Sequence, residues 1–242
     1  MIKFFSKIRQ KILAENKYGK YLIYAIGEIV LVVIGILIAL SINNWNENQK
    51  REKLKSAYRI SLVNDLSLDT LMLSTLISEN NNVLKVLRNQ QDRFLGPYTS
   101  FDTLLNIVKN EFDPELNMRV KYNRNTINTL IASGNIDLFS REFNEMLMTL
   151  ISLKDIERES SNFYSEVYSD KVSRFSDDYP VSGRQNSNLF DLVWLDIEQK
   201  KLASRFISLT DIKGFAHYSF LNEIKNVKEE TSRILKQIEN HN

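Results

Sequence analysis

Cysteine is absent from the 242 residues, which excludes disulfides and thiolate metal sites. Its absence leaves the compartment open, because oxidising compartments also hold cysteine-free chains. Proline (3) and glycine (7) are scarce, so a fold built on many tight turns is unexpected, and long runs of Leu, Ile, Lys, Glu and Asn favour helices. Histidine is nearly absent too, and neither His217 nor His241 has a partner at metal-ligand spacing. There is no glycine-rich phosphate loop. The sequence therefore marks no metal, no cofactor and no catalytic residues, and it reads as a non-enzymatic protein.

Charge of one sign is missing from most of the chain. Residues 1–20 hold Lys3, Lys7, Arg9, Lys11, Lys17 and Lys20 against Glu15 alone. Setting those seven and Glu28 aside leaves 26 basic and 28 acidic residues. The basic balance comes from the start of the chain, and the remainder lacks the excess that nucleic-acid binding needs.

What is present is an apolar run, YLIYAIGEIVLVVIGILIALSI, at residues 21–42. As a helix its 22 positions extend roughly 33 Å, enough for a hydrocarbon core of about 30 Å. Its fourteen Leu, Ile and Val residues favour insertion by roughly 4–8 kcal/mol in total, against a cost of about 3 kcal/mol or less for off-centre Glu28. A cleaved leader is the competing reading, with Ala39-Leu40-Ser41 as its loose cleavage site, but its apolar region would run only about 7–15 residues. The expected layout is a cytoplasmic basic segment (1–20), a transmembrane helix (21–42) and an extracytoplasmic helical domain (43–242). The basic start stays inside by the positive-inside rule, which places the domain on the periplasmic side of a bacterial inner membrane. Tyr18, Tyr21, Tyr24 and Trp45 fall near the two interfaces. Ile2, Phe5, Ile8 and Ile12 share one face of a short basic amphipathic segment suited to anionic lipid, or the segment is a basic tail that only sets topology.

The block KIRQKILAENKYGKYLIYAIGEIVLVVIGILIALSINNWNE (residues 7–47) resembles the N-terminus of an uncharacterised, domain-of-unknown-function family of bacterial single-span membrane proteins. TLIASGNIDLF (129–139) is a weaker echo of the same family, in which a helix ends at a small-Gly pair. The resemblance implies a membrane anchor and a helical outer domain. It implies no activity.

At 100° per residue, Gly35 and Ala39 each lie 20° from Glu28 and Val32 lies 40° away. Small residues let helices approach in lipid, and a polar side chain can bond across the contact. The stripe Glu28–Val32–Gly35–Ala39 is thus expected to face another helix, of a second copy or of a different membrane protein. Glu28 would serve as polar glue, as an ion or proton carrier in a stator-like force transmitter, or as partner to a base on another chain.

Beyond Trp45, Leu66, Leu73, Leu87 and Phe94 recur at multiples of seven with Asn80 in register, which predicts a helix over 46–94 closed by Gly96-Pro97. Further helices are expected at 101–110 (capped by Ser100), from Asp113-Pro114, at 126–133 (stopped by Gly134), from Ser140 to about 175, at 196–208 and at 211–239. Residues 177–188 read as a loop, and 189–196 as helix or irregular chain. The fold class is all-α: an N-terminal transmembrane helix continuing into an up-and-down helical bundle, with no repeat of fixed period.

Arg119, Lys121 and Arg124 crowd one segment and are candidate contacts for a small anion. Asp65, Asp69, Glu157 and Glu159 read as solvated helix-face carboxylates. His217 reads as a packed residue, and Phe163, Tyr164, Tyr168 and Phe175 as core. The function expected is protein–protein interaction by a self-associating scaffold or coupling subunit. A stator-like component, or a ligand-sensing receptor whose output travels through a partner, are the alternatives.

Overall fold

The structure, a computed structural model, describes residues 18–180 and 188–240. Residues 1–17 of the expected basic segment (1–20), most of the expected loop (177–188) and His241 lie outside the described residues; Asp177, Asp178 and Asn188 at the ends of that loop are helical. The chain divides into two compact units, Met1–Ala57 and Tyr58–Asn242. Among the described residues there is no strand.

Helix α1 runs from Tyr18 to Phe94, so the apolar run continues into the bundle's first helix as expected. Chain 95–140 then carries α2 (Phe101–Asn106), a π-helical turn (Ile107–Glu111), α3 (Asn125–Ala132) and a 3₁₀ turn (Asn135–Leu138). Helix α4 (Arg141–Asp178), short α5 (Asn188–Val193) and α6 (Gln199–Glu239) complete the fold.

The unit from Tyr58 onward is built on three long helical stretches. Its core has two parts. One gathers Leu62, Leu66 and Leu73 of α1 with Leu147 and Leu150 of α4 and Ile224 and Ile234 of α6. The other gathers Leu87 and Phe94 with Tyr168 and Phe175 and with Leu202 and Phe206. The 62–73 part of α1 therefore packs on early α4 and late α6, and the 87–94 part on late α4 and early α6. Helices α1 and α4 run in the same direction, with α6 against both. Ser160 meets Ser219 and Lys171 meets Ser208, as an antiparallel pair requires.

This corrects the up-and-down expectation. Residues 95–140 carry the chain back along the bundle, so α4 starts at the same end as the 58–66 part of α1. The sequence has local helix signals but nothing that reports this crossover.

Local signals explain most boundaries. The Ser100 and Ser140 hydroxyls accept from the backbone N–H groups of Thr103 and Phe143, capping α2 and α4. Gly134 has φ +70°, a left-handed conformation that glycine adopts without the penalty a side chain brings, and it ends the α3 turn as expected. α3 has no cap of its own; Asp65 on α1 accepts from Thr126 N and Thr126 Oγ1 (3.3 and 2.7 Å) and caps it from outside.

Three expectations fail. Asp113-Pro114 starts no helix: residues 112–124 are irregular, and the Asp113 carboxylate accepts from Glu115 N in a local turn. The expected 101–110 helix changes to π geometry after Asn106, with Phe112 N bonding back to Ile107 O at 2.8 Å. The two last helices are one, because Thr210 is buried and turns its hydroxyl onto Ile207 O within the helix. Residues 188–193 are helical, as one of the two readings of that stretch had it.

Candidate functional site

Four places could carry function: the stripe in the apolar run, the Arg119–Lys121–Arg124 segment, a buried polar network and a cleft beside Lys213.

Glu28, Val32, Gly35 and Ala39 all lie in α1, whose helical geometry puts them on one face as expected. A side chain added at Gly35 would meet nothing within 4 Å. The large apolar residues of 22–42 are all exposed, for example Ile23 at 72% and Leu31 at 65%.

The three cations of the 119–124 segment do not converge. Arg119 and Lys121 are exposed, while Arg124 bonds Asp155 of α4 at 2.7 Å and lies 5.9 Å from the centre of the Tyr122 ring. Arg124 therefore has its charge spent on a neighbour, which weakens the segment as an anion site.

The polar network was not visible in the sequence. Asp69 of α1 and Lys154 of α4 are fully buried, and the Lys154 ammonium donates to Asp69 Oδ2 at 2.6 Å. Asp69 Oδ1 also accepts from the backbone N–H and the side-chain amide of Asn123, at 2.9 and 2.8 Å. The Lys154 ammonium lies 4.8 Å from the centre of the Tyr122 ring. Burial pushes the Lys154 pKa down, and the hydrogen bond to Asp69 pulls it back. Glu157, one turn further along α4, is buried and accepts from the Ser161 hydroxyl at 2.8 Å. Burial raises its pKa, while the bond from the Ser161 hydroxyl pulls it back. The Tyr122 hydroxyl is buried toward Glu157 without a hydrogen bond of good geometry, and burial raises its pKa strongly. The solvated reading of Asp69 and Glu157 is thus overturned. Both lie beneath the 112–124 segment, and Asp69 and Lys154 clasp it to the bundle.

A second polar chain links α1 to α6. Asn80 Nδ2 donates to the His217 carbonyl at 2.9 Å, which turns Asn80 Oδ1 toward the ring, 2.5 Å from His217 Nδ1. Nδ1 therefore carries the proton. Nε2 is buried and has no hydrogen-bond partner among the described residues. Charging the ring would leave a buried N–H unsatisfied, and burial together with nearby Lys213 pushes the His217 pKa down to about 4. His217 is packed, as expected. Lys213 is also buried; its ammonium donates to the Asp113 carbonyl and lies 5.2 Å from the centre of the Phe112 ring. Lys213 lines a cleft of about 230 Å³ with Val83, Val86, Leu87, Gln90 and Phe112. Gln90 donates to the Glu111 carbonyl at 3.0 Å, and Arg93 pairs bidentately with the Glu111 carboxylate at 2.5 and 2.9 Å. These bonds hold the π-helical turn against α1.

Tyr168 and Phe175 are core, as expected, but Phe163 is exposed and stands edge-on to Tyr164, which in turn meets Phe215 of α6. Among the described residues no group of three His, Asp or Glu side chains is placed to hold a metal ion.

No curated protein and no solved structure matches the chain. A family model described as a family of unknown function, DUF6090, matches residues 28–213. The match takes in the last two thirds of the apolar run, the 95–140 crossover, α4 and the first third of α6. With most of its length covered, the chain belongs to the DUF6090 family.

Proposed function

We propose that the protein is a single-span, membrane-anchored helical protein that acts by binding other proteins and self-associates through its apolar helix. One observation carries the reading: residues 22–42 form helix whose large apolar side chains are all exposed. An exposed apolar surface of that length is what a bilayer or a partner helix covers. The basic start favours a cytoplasmic N-terminus and a periplasmic bundle in a bacterial inner membrane. The Glu28–Val32–Gly35–Ala39 face is the contact surface, with Gly35 allowing the close approach.

Crosslinking in native membranes tests the contact. Gly35→Leu fills the approach and lowers the dimer yield; an unchanged yield removes this face from the interaction. A second reading, an ion-coupled force transmitter, rests on the carboxylate of Glu28 within that face. Glu28→Gln separates the two. Loss of function with assembly intact supports ion coupling, and retained function discards it.

A further inference from the structure

The α1 surface opposite the bundle core is free of charge over five turns. In residues 60–78 the exposed positions are Ile60, Ser61, Asn64, Ser67, Leu68, Leu71, Thr75 and Ser78, and none of the eight is ionisable. The chain as a whole is 26% charged. On α4, a window of equal length, 141–159, exposes nine residues, and Arg141, Glu142, Glu145, Arg158 and Glu159 among them are charged. The α1 face also carries large apolar side chains, with Ile60 70% and Leu71 68% exposed. Ile60, Asn64, Leu68, Leu71, Thr75 and Ser78 are spaced by threes and fours, which lines them up along one stripe.

We propose that this face packs against the same face of a second copy, in parallel, as a helix seam outside the membrane. The proposal rests on the membrane-anchored reading above. A surface without charge is complementary to itself: two copies meet without like-charge repulsion and without burying an ion. Two chains anchored through the same N-terminal run leave the bilayer on the same side, so parallel pairing is the geometry available.

The area explains why the anchor matters. The stripe is about 27 Å long and about 10 Å wide, roughly 300 Å² per partner. Stable association in free solution takes about 800 Å² per partner. The seam is therefore too small to hold two free copies together. It closes because the apolar runs, whose last residue Ile42 precedes Ile60 by 18 positions, hold both copies at high effective concentration.

The absence of native cysteine makes the test direct. Full-length single-cysteine variants Asn64→Cys, Leu71→Cys, Gly35→Cys and, as an exposed control on α4, Met148→Cys are reconstituted separately into phosphatidylethanolamine–phosphatidylglycerol vesicles. They are oxidised and scored for disulfide-linked dimer, with circular dichroism confirming helicity. Asn64→Cys and Leu71→Cys are expected to exceed Met148→Cys by about tenfold or more. Adding Leu71→Lys to Asn64→Cys should return its yield to the control level. If Gly35→Cys crosslinks but Asn64→Cys and Leu71→Cys stay at the control level, the seam is refuted while the membrane contact stands. Strong Asn64 and Leu71 crosslinks without one at Gly35 keep the seam and refute the stripe in the apolar run. If all stay at the control level in membrane-inserted protein, both contacts are refuted.

Discussion

The Lys154 ammonium and the Asp69 carboxylate meet at 2.6 Å with both side chains sealed from solvent, joining two helices whose paired residues lie 85 positions apart. Desolvating two charges costs several kcal/mol per ion, which their attraction and added hydrogen bonds offset. Here the added bonds come from Asn123 on the crossover, so the pair fixes that segment as well as the helices. Lys154→Met leaves Asp69 buried without its cation and should cost about 3–5 kcal/mol in denaturant unfolding. The double variant Asp69→Leu/Lys154→Met should recover part of that loss. Full recovery is not expected, because the Asn123 backbone N–H loses its acceptor, at about 1–3 kcal/mol. Equal losses in the single and double variants would contradict this account of the pair.

His217 gives the fold an acid-side sensitivity. Its folded pKa, about 4, lies below the ordinary value of 6.5, so between these values the unfolded chain takes up a proton that the folded chain does not. Stability from this residue is complete above about pH 6.5 and is lost as pH falls toward 4, by on the order of 3 kcal/mol. His217→Gln, which keeps polar groups toward Asn80, should flatten that part of the stability profile. A slope unchanged by the substitution would assign the loss to other groups.

Glu157 works with the opposite sign. Its pKa is raised by burial, so its contribution is favourable below the ordinary carboxylate value and fades as pH rises through the folded pKa. Glu157→Gln retains an acceptor for the Ser161 hydroxyl and removes the ionisable group. The variant should gain stability over the native protein at pH 7 and show little difference at pH 4. Melting curves at the two pH values check this, and a loss at pH 7 would refute it.

Asp65 caps α3 from a neighbouring helix, and Asp65→Ala should cost about 1 kcal/mol. Gly134→Ala should cost a similar amount for another reason. An added methyl meets nothing within 4 Å, so the cost is the left-handed backbone alone, about 1–2 kcal/mol. Hydrogen exchange across residues 125–138 should show both losses locally.

Much of this was legible in the sequence, and the exceptions share a cause. Spacing at sevens placed Leu66, Leu73, Leu87 and Phe94 in the core, and short-range caps placed the starts of α2 and α4. These signals lie within a turn or two of the residue they govern. Asp113-Pro114 carries the same local signal, but its segment is committed elsewhere: Lys213 holds the Asp113 carbonyl, and Asp69 holds Asn123. The buried roles of Asp69, Lys154, Glu157 and Lys213 depend on partners brought close by the crossover, and nothing near them in sequence reports that. Of the candidate cations, Arg124 lost its availability to Asp155 in the same way. The stripe in the apolar run was read from helix geometry alone, and its helix is present.

Alkaline carbonate extraction of cell membranes, followed by intact-mass measurement of the chain, tests the anchored reading most directly. The protein is expected to stay with the bilayer with residues 21–42 still attached, and Val32→Arg/Ile36→Arg is expected to release it. Native protein recovered in the carbonate supernatant, or a chain whose mass shows that it begins just after Ser41, would contradict it.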